Sequence, residues 1–216
     1  MHVVGKCYQS ECFSGQDLSE AIFENCQFYR CDFSRANLLE ASFIGCSFIE
    51  AGDEQGANFS YAKLKDASFK NCNLSMANFR HAQCFGIEMR GSNLQGADFQ
   101  YASFSNYITQ NTFFSSAYIT GCNLRYSNFE DVKLEQCELF ENRWNGANLL
   151  ATSLKGSDLS RGEFSSEHWQ QCMFEGADLC HVDLEGVDIR RVNLQGVKIC
   201  DWQQEQLLSQ LGIIVL

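Results

Sequence analysis

The chain has 216 residues, an ordinary apolar content of 45% and a formal net charge of −11. This length allows one sizeable core or two small domains, and the apolar content argues against a disordered chain. The longest run of basic residues is Arg190-Arg191, so we expect no direct binding to nucleic acid or to an anionic membrane surface. Binding to a basic protein surface that normally holds nucleic acid stays open.

The first residues, MHVVGKCYQS, lack the apolar segment of a secretory signal, and no stretch of about 18 apolar residues suggests a membrane span. We therefore expect a cytoplasmic protein with reduced thiols. The chain also contains no proline. This absence indicates a regular backbone whose N–H groups are in use, because proline would remove a donor from a ladder.

A five-residue repeat runs through almost the whole chain. Residues 57–79 divide into ANFSY, AKLKD, ASFKN, CNLSM and ANF, so a small residue opens each unit and Phe or Leu follows two positions later. We name this larger residue the centre of the unit. Centres recur in three blocks, from Leu18 to Phe48, from Phe59 to Phe104 and from Phe114 to Ile199. A small residue precedes 31 of the 35 centres, so the register is not a chance pattern. The four exceptions are Gln16, Ile87, Asn142 and Glu167.

The five-residue period indicates an all-β solenoid. In a helix, successive centres would rotate by about 140° and form no stripe. In extended backbone, residues two apart face the same side, so the small residue and the centre both point inward. The last two residues of each unit must then turn the chain. A corner in every unit closes a narrow tube whose stacked coils pair as parallel strands.

The cysteines fit the repeat better than they fit a metal site. Twelve cysteines and four histidines are present, but no CxxC motif occurs and the histidines show no metal-ligand spacing. Seven cysteines occupy the small position that Ala usually holds: Cys26, Cys31, Cys46, Cys72, Cys122, Cys137 and Cys172. A small buried side chain explains this placement, so we predict no metal and no cofactor.

The register is interrupted first after Phe48. Phe48 and Phe59 are eleven positions apart, so the phase slips by one. We predict a loop at about residues 49–57, rich in acidic and turn-forming residues. Its candidate partner-binding residues are Glu50, Asp53, Glu54 and Gln55.

The second interruption keeps the phase but breaks one unit. The segment SNYITQNTFF would place Tyr107 at a small inward position and Thr109 at a centre, and neither fits a narrow tube. We therefore predict an uncharged loop at about residues 105–113. A tolerated surface insertion would account for it, but exposed apolar residues on a rigid scaffold also favour binding. The candidate partner-binding residues are Asn106, Tyr107, Ile108, Thr109, Gln110, Asn111, Phe113, Phe114, Ser115 and Ser116.

Residues 1–200 thus form the solenoid, and residues 201–216 form a C-terminal helix and apolar tail. In DWQQEQLLSQLG, Asp201 is a candidate N-cap and Gly212 a candidate stop. The helix could cap the open end of the solenoid or form a two-fold interface. We favour a homodimer, with candidate interface residues Trp202, Leu207, Leu208, Leu211, Ile213 and Ile214.

Charge is unevenly distributed along the chain. Residues 128–188 contain thirteen Asp or Glu residues and four Lys or Arg residues. They form either a solubilising face or a rod whose repeated negative charge imitates a duplex. No Gly-rich phosphate loop, HExxH or GxSxG motif occurs, and the carboxylates are spread around the tube. We therefore predict no catalytic residue.

Units of the form A/C-D/N-L/F-x-x resemble the pentapeptide repeat family over about residues 11–200. The chain also resembles Qnr-type quinolone-resistance proteins, through the two interruptions, the helical tail and several spans. These spans are CNLSMANFR (72–80), SSAYIT (115–120), CELFENRWNGA (137–147), GSDLS (156–160) and LQGVKI (194–199). The resemblance implies a right-handed quadrilateral parallel β-helix with four units per coil and a short C-terminal helix.

The resemblance also implies a function. Proteins of this type are rods that use two loops against DNA gyrase and topoisomerase IV, and they join end to end through the C-terminal element. They protect the enzymes from quinolones by hindering or reversing the drug-stabilised cleavage complex. A pentapeptide-repeat scaffold or an immunity protein with a different partner is an open alternative, because fold does not fix function. A polysaccharide-active β-helix enzyme is a further alternative, which would need clustered carboxylates in a groove.

Overall fold

The computed structural model describes residues 1–109 and 112–215 as a stack of coils around one apolar core. In these residues the regular strands are short: β1 His2–Val4, β2 Cys7–Gln9, β3 Ile22–Glu24, β4 Gln27–Tyr29, β5 Ser42–Ile44, β6 Ser68–Lys70, β7 Ile87–Arg90, β8 Ser105–Tyr107, β9 Phe113–Ser115 and β10 Ala117–Thr120. One parallel sheet has the order β1-β3-β5-β6-β7-β10, and β2 pairs with β4. Isolated parallel bridges continue the other walls.

The register gives the number of walls. Phe23 pairs with Phe43, and Phe69 pairs with Met89, so partners in undisturbed coils lie 20 residues apart. Twenty residues are four five-residue units, and each unit supplies one wall and one corner. This register, with the short C-terminal helix, confirms the predicted fold class, a quadrilateral parallel β-helix.

Two coils are longer than the others. Phe43 pairs with Phe69, which leaves six extra residues in that coil. Ile87 pairs with Ala117, which leaves ten extra residues in that one. The larger insertion removes two units from the wall, so the centre that follows Phe104 is Ile119. The assignment of Phe114 as a centre is therefore wrong, and its side chain is 42% exposed.

Stacked aromatic rings fill the tube. Phe33, Phe59, Phe79, Phe99 and Phe129 lie in consecutive coils, with ring centroids 5.0, 4.9, 4.6 and 4.6 Å apart and nearly parallel planes. Such offset stacks add to the free energy of apolar burial. The small residues beside these rings are buried as well. The core also extends before Leu18, because Val3, Tyr8 and Phe13 pack partly buried against it.

The corners of the tube are of two kinds. At most corners the N–H of a small residue donates to the centre three residues earlier, as Ala77 N–H does to Leu74 O at 3.1 Å. In the described chain the corners after β3, β4, β5, β6, β7 and β10 are among those that lack this bond. There the thiols of Cys46, Cys72 and Cys122 donate to centre carbonyls of the preceding coil, at 3.2–3.4 Å. Cysteine therefore acts as a small donor that satisfies a buried carbonyl.

Asn142, an exception in the repeat, performs the same task more completely. Its Oδ1 accepts the N–H of Cys122 at 2.8 Å. Its Nδ2 donates to Ile119 O at 2.6 Å and to Leu139 O at 2.9 Å. The buried amide thus serves both unpaired backbone groups of the corner below it.

The exception at Glu167 marks a change in the wall. Residues Ser166–Gln170 form a 3-10 helix that places His168 and Trp169 inside the tube. His168 Nδ1 accepts the Ser165 N–H at 3.2 Å, and Nε2–H donates to Ala147 O at 2.9 Å. Burial lowers the pKa of His168, and the acceptor role of Nδ1 requires the neutral ring.

The C-terminal segment packs on the last coil. A 3-10 turn at Asp201–Gln203 leads into α1, Gln204–Leu208, and a second 3-10 turn at Ser209–Leu211. The predicted N-cap at Asp201 is wrong, because Asp201 is already helical and Cys200 takes the cap position. Gln203 Oε1 accepts the Cys200 N–H at 2.7 Å, while Nε2 donates to Leu179 O and Val182 O. Gly212 ends the segment at φ +73°. No helix within residues 1–109 and 112–215 has the length and apolar character needed to cross a bilayer.

We predict that Ala77→Trp destabilises the tube strongly. Ala77 is buried beside stacked centres, so the larger ring must displace core side chains at a cost of about 3 kcal/mol or more. Urea unfolding measures this loss. Gln95→Trp, on the exposed surface of the next coil, is the matched control and should unfold near the parent's midpoint. An unchanged midpoint for Ala77→Trp would mean that Ala77 does not face the core.

We also predict a pH-dependent contribution from His168. The unfolded side chain binds a proton below about pH 6.5, whereas the folded side chain has a lower pKa. The contribution of the neutral, buried His168 ring to the free energy of unfolding is therefore complete above about pH 6.5. It is lost as the pH falls towards the pKa of the folded state. The measurement is the difference in unfolding free energy between the parent and His168→Gln from pH 8 to pH 5, in which the other histidines cancel. A difference that stays constant with pH would contradict the buried neutral ring.

Candidate functional site

The larger insertion is a β-hairpin that stands off one corner of the tube. Strands β8 and β9 pair antiparallel, with Ser105 opposite Ser115 and Tyr107 opposite Phe113. Ser116 N–H donates to Phe104 O at 3.1 Å and closes the base. The insertion thus reaches two residues beyond the predicted end at 113. The predicted site residues Gln110 and Asn111 lie outside the described residues.

The hairpin presents apolar side chains at its tip and is anchored at its base. Tyr107 is 54% exposed and Ile108 is 69% exposed. Phe114 packs edge-on against Phe85 of the wall at 5.2 Å. Lys133 Nζ lies 4.6 Å from the ring centroid of Phe113, a cation–π contact. The anchors fix the direction in which the tip faces solvent.

Three further predicted residues shape the hairpin. Asn106 lies opposite Phe114 in the hairpin ladder and faces solvent. Thr109 Oγ1 accepts the N–H of Thr112 at 3.0 Å, and Ile108 N–H donates to Thr112 O at 2.9 Å. Ser115 and Ser105 share a hydroxyl hydrogen bond of 2.8 Å. These hydrogen bonds hold Ile108 and Thr109 against Thr112 next to the two strands.

A shallow cleft of about 450 Å³ lies between the hairpin and the adjoining wall. Its lining includes Lys65, Gln83 and Phe85 of the wall with Asn106 and Tyr107 of the hairpin. Lys65 and Phe85 are not among the predicted partner-binding residues. The signal for Phe85 was present, because an aromatic residue directly after the centre Cys84 must face outward.

The smaller loop is tied to the wall by an arginine. Arg30 donates two hydrogen bonds to Asp53, at 2.7 and 3.0 Å, and its Nη2 lies 3.6 Å from Glu50. The hydrogen bonds from Arg30 lower the pKa of Asp53. Glu54 and Gln55 remain turned to solvent. The loop therefore offers less free negative charge than its sequence indicates.

The two insertions leave opposite corners of the tube. Ala57 N–H donates to Phe48 O at 3.0 Å and is buried in the wall, so the smaller loop ends one residue before the predicted 57. That loop replaces the corner stacked between Arg30 and Met76. The hairpin replaces the corner stacked above Gly86. Because corners recur every five residues, the corners of Met76 and Gly86 are separated by one corner on each side.

The C-terminal half of the rod carries unpaired negative charge. Of the thirteen carboxylates between residues 128 and 188, nine take part in no ion pair within the described chain: Glu130, Asp131, Glu135, Glu138, Asp158, Glu167, Asp178, Asp183 and Glu185. Glu138, Asp158 and Asp178 are bridge partners in consecutive coils and form one stripe. Carboxylates along such a stripe are separated by about 4.8 Å, the spacing of neighbouring strands.

The predicted dimer-interface residues divide into two groups. Leu207 packs against the core and lines an apolar cavity of about 220 Å³ with residues of the last coils, and Leu208 is half-buried. The others face solvent at the end of the rod: Trp202, Leu211, Ile213 and Ile214. The segment therefore closes the tube on one side and leaves an apolar surface on the other.

Comparison with known proteins agrees with this architecture. A family model described as "Pentapeptide repeat region" matches residues 21–99, and one described as "Pentapeptide repeats (8 copies)" matches residues 97–136 and 168–199. The chain is 57% identical over 143 residues to the pentapeptide repeat protein VPA0095 of Vibrio parahaemolyticus. It is 49% identical over 100 residues to the pentapeptide repeat protein QnrB4 of Escherichia coli. The aligned segments span 66% of VPA0095 and 46% of QnrB4.

The solved structure of full-length QnrB1 matches nearly the whole chain. It superposes with a TM-score of 0.86 at 49% identity, over 98% of this chain and 97% of QnrB1. QnrB1 is described as a plasmid-mediated fluoroquinolone resistance protein. Because the match covers the repeats, both insertions and the tail at this level of identity, this chain belongs to the pentapeptide repeat family and is a Qnr-type protein within it.

Proposed function

We propose that this chain protects bacterial type II topoisomerases from quinolones. It binds DNA gyrase and topoisomerase IV as a rod and hinders or reverses the drug-stabilised cleavage complex. The observation that carries the proposal is the exposed apolar hairpin, on a rod that superposes on the fluoroquinolone resistance protein QnrB1 over 98% of its length. The place of action is the cytoplasm, where these enzymes work.

The hairpin is the part of the rod best suited to bind a protein. Tyr107 and Ile108 expose large apolar surface on a backbone that β8 and β9 hold in place. Preorganised aromatic and aliphatic side chains lose little conformational freedom on binding, so they contribute strongly to affinity. The smaller loop adds polar contacts through Glu54 and Gln55. Protection then needs binding alone, without a catalysed reaction.

The acidic half of the rod supports partial imitation of DNA. Topoisomerases bind duplex DNA on basic surfaces, and a narrow rod with nine unpaired carboxylates is attracted to the same surfaces. The stripe of Glu138, Asp158 and Asp178 repeats its charge at regular intervals, as a phosphate backbone does. This field would guide the rod towards the enzyme, and the hairpin would then fix its position.

The exposed apolar end supports a homodimer. Trp202, Leu211, Ile213 and Ile214 lie together in sequence at the end of the rod, and Ile214 is 82% exposed. A patch of this composition favours contact with a second copy around a two-fold axis. We propose that two rods join end to end through residues 201–215.

We predict that deleting residues 106–115 strongly weakens protection without unfolding the rod. The deletion brings Phe104 and Ile119 five positions apart, so the wall continues in register. A gyrase supercoiling assay with ciprofloxacin measures protection, and we expect at least a ten-fold larger amount of the deleted protein to be needed. The matched comparison is deletion of residues 50–55, which restores five-residue spacing between Phe48 and Phe59 and should weaken protection less.

Three other outcomes of this assay are informative. Full protection by the protein lacking residues 106–115, with an unchanged circular dichroism spectrum, would show that the hairpin is not the contact. Inhibition of gyrase by the parent in the absence of drug would indicate a toxin-like DNA mimic. No effect of the parent on the drug-treated enzyme would favour a scaffold with a different partner.

We also predict that charge at the apolar end separates the dimer. Ile213→Asp/Ile214→Asp should sediment as a 24.5 kDa monomer, because each copy would have to bury two charged groups, four in the whole interface. The control is Leu150→Asp, at an exposed apolar residue on the side of the rod, which should leave the dimer intact. A parent protein that sediments as a monomer at micromolar concentration would contradict the interface.

A further inference from the structure

Three aromatic rings form a column on one corner of the tube. The rings of Tyr61 and His81 are stacked 4.6 Å apart at 11°, and those of His81 and Tyr101 are 5.0 Å apart at 15°. The guanidinium group of Arg35, on the same corner one coil earlier, lies 5.8 Å from the centroid of Tyr61. All four side chains are exposed. We name Arg35, Tyr61, His81 and Tyr101 the aromatic ladder.

The ladder lies on a corner between the two insertions. Tyr61 is the first corner after the smaller loop, and Tyr101 is the last corner before the hairpin. A partner that touches both insertions must cover one of the two corners that separate them. The other corner carries Asn71, Gly91 and Gly121 in successive coils, which provide little contact area. The ladder is the corner with the residue types that dominate protein interfaces, Tyr and Arg.

The chemistry of the ladder favours a negatively charged partner. The rings cover one another's faces, so their edges, which carry the positive end of the ring quadrupole, meet solvent. Arg35 and its neighbour Lys63 form no ion pair within the described chain. Stacking covers both faces of His81 and one face each of Tyr61 and Tyr101, which reduces the platform on which a nucleobase could stack. The chain's net charge of −11 disfavours a partner as densely charged as a phosphate backbone. A short protein segment with a few carboxylates meets less of this repulsion and can still pair with Arg35 and Lys63, so it fits best.

The adjoining cleft extends this surface towards the hairpin. The wall between the ladder corner and the hairpin corner contributes Lys65, Gln83 and Phe85 to the cleft. Lys65 lies about as far from the ring of Phe85 as a cation–π contact allows, at 6.0 Å. Ladder, cleft and hairpin therefore form one continuous surface rich in aromatic side chains.

We propose that the aromatic ladder is a third partner-contacting element, which binds a carboxylate-bearing segment of the same protein that the two insertions contact. The inference rests on the proposed function and adds residues and a charge preference to it. The segment lies along the ladder, and its carboxylates contact Arg35, Lys63 and the ring edges.

The test replaces the three rings while keeping the corner conformation. Tyr61, His81 and Tyr101 have φ of +59°, +59° and +63°, and Asn is among the few residues that adopt such values easily. Tyr61→Asn/His81→Asn/Tyr101→Asn is compared with Tyr126→Asn, an exposed tyrosine at φ +59° on a different corner. Affinity for DNA gyrase is measured by surface plasmon resonance, together with protection in the supercoiling assay. We expect the triple variant to bind at least ten-fold more weakly and the control to bind within two-fold of the parent.

A charge variant makes the test independent of the ring replacements. Arg35→Glu should also weaken binding several-fold, because it places a carboxylate against the acidic segment, and Glu20 and Glu40 already adopt positive φ at other corners. If the parent binds gyrase and both ladder variants bind within two-fold of it, the ladder proposal is overturned and the proposed function stands. If the parent neither binds nor protects, both fail. If the variants instead lose affinity for duplex DNA alone, the ladder is a nucleic-acid contact and the proposal is overturned.

Discussion

The structure depends on a register of 20 residues between hydrogen-bonded coils. Each coil donates to and accepts from its neighbours, so a shift of one residue would turn every centre of that coil outward. The wall therefore cannot accommodate an extra residue, so an inserted segment must leave the wall completely. The coils that carry six and ten extra residues show this, because Ser42 and Ser68 or Ile87 and Ala117 resume pairing with every centre inside. Insertions become projecting loops for this reason, and a rigid rod that carries them is a natural binding scaffold.

A second constraint explains the unusual use of cysteine. Corners after the extended strands, and those after Leu134 and Leu139, lack the local hydrogen bond that most corners have, which leaves a buried carbonyl. The residue stacked above must be small enough for the tube and must also carry a donor. Cysteine meets both conditions. Ser92 and Asn142 also accept a backbone N–H of the preceding coil, that of Cys72 and that of Cys122. Alanine in their place would leave this N–H and the buried carbonyl unsatisfied, at a cost of about 1–3 kcal/mol each. The placement of thiols thus reflects backbone hydrogen bonding rather than redox or metal chemistry.

The features that could be predicted from the sequence are those that depend on the residues within a single five-residue unit. Each unit places one small and one large side chain inside, and this pattern predicts the narrow tube. Tyr107 does not fit inside such a tube, so it could be assigned to a projecting segment. The size of the hairpin could not be predicted, because ten inserted residues are a multiple of five and Phe114 keeps the phase. The 3-10 helix at Ser166–Gln170 was missed for a similar reason, since Trp169 sits at a centre position. The pairing of Arg30 with Asp53 depends on coils stacked 23 residues apart, a contact that periodicity alone does not specify.

The uneven distribution of charge makes the two ends of the rod electrostatically different. Residues 57–105 contain five basic and three acidic residues, whereas residues 128–188 contain four basic and thirteen acidic residues. The hairpin projects between these two regions, so a partner held by the hairpin meets a weakly basic surface on one side and a strongly acidic surface on the other. Reversed docking would place like charges together, and such repulsion enforces orientation more effectively than added attraction does. If two rods join at residues 201–215, the acidic halves meet in the centre and the hairpins and ladders lie outside them. A two-fold symmetric enzyme with a basic central channel would then be contacted at three places by one symmetric dimer.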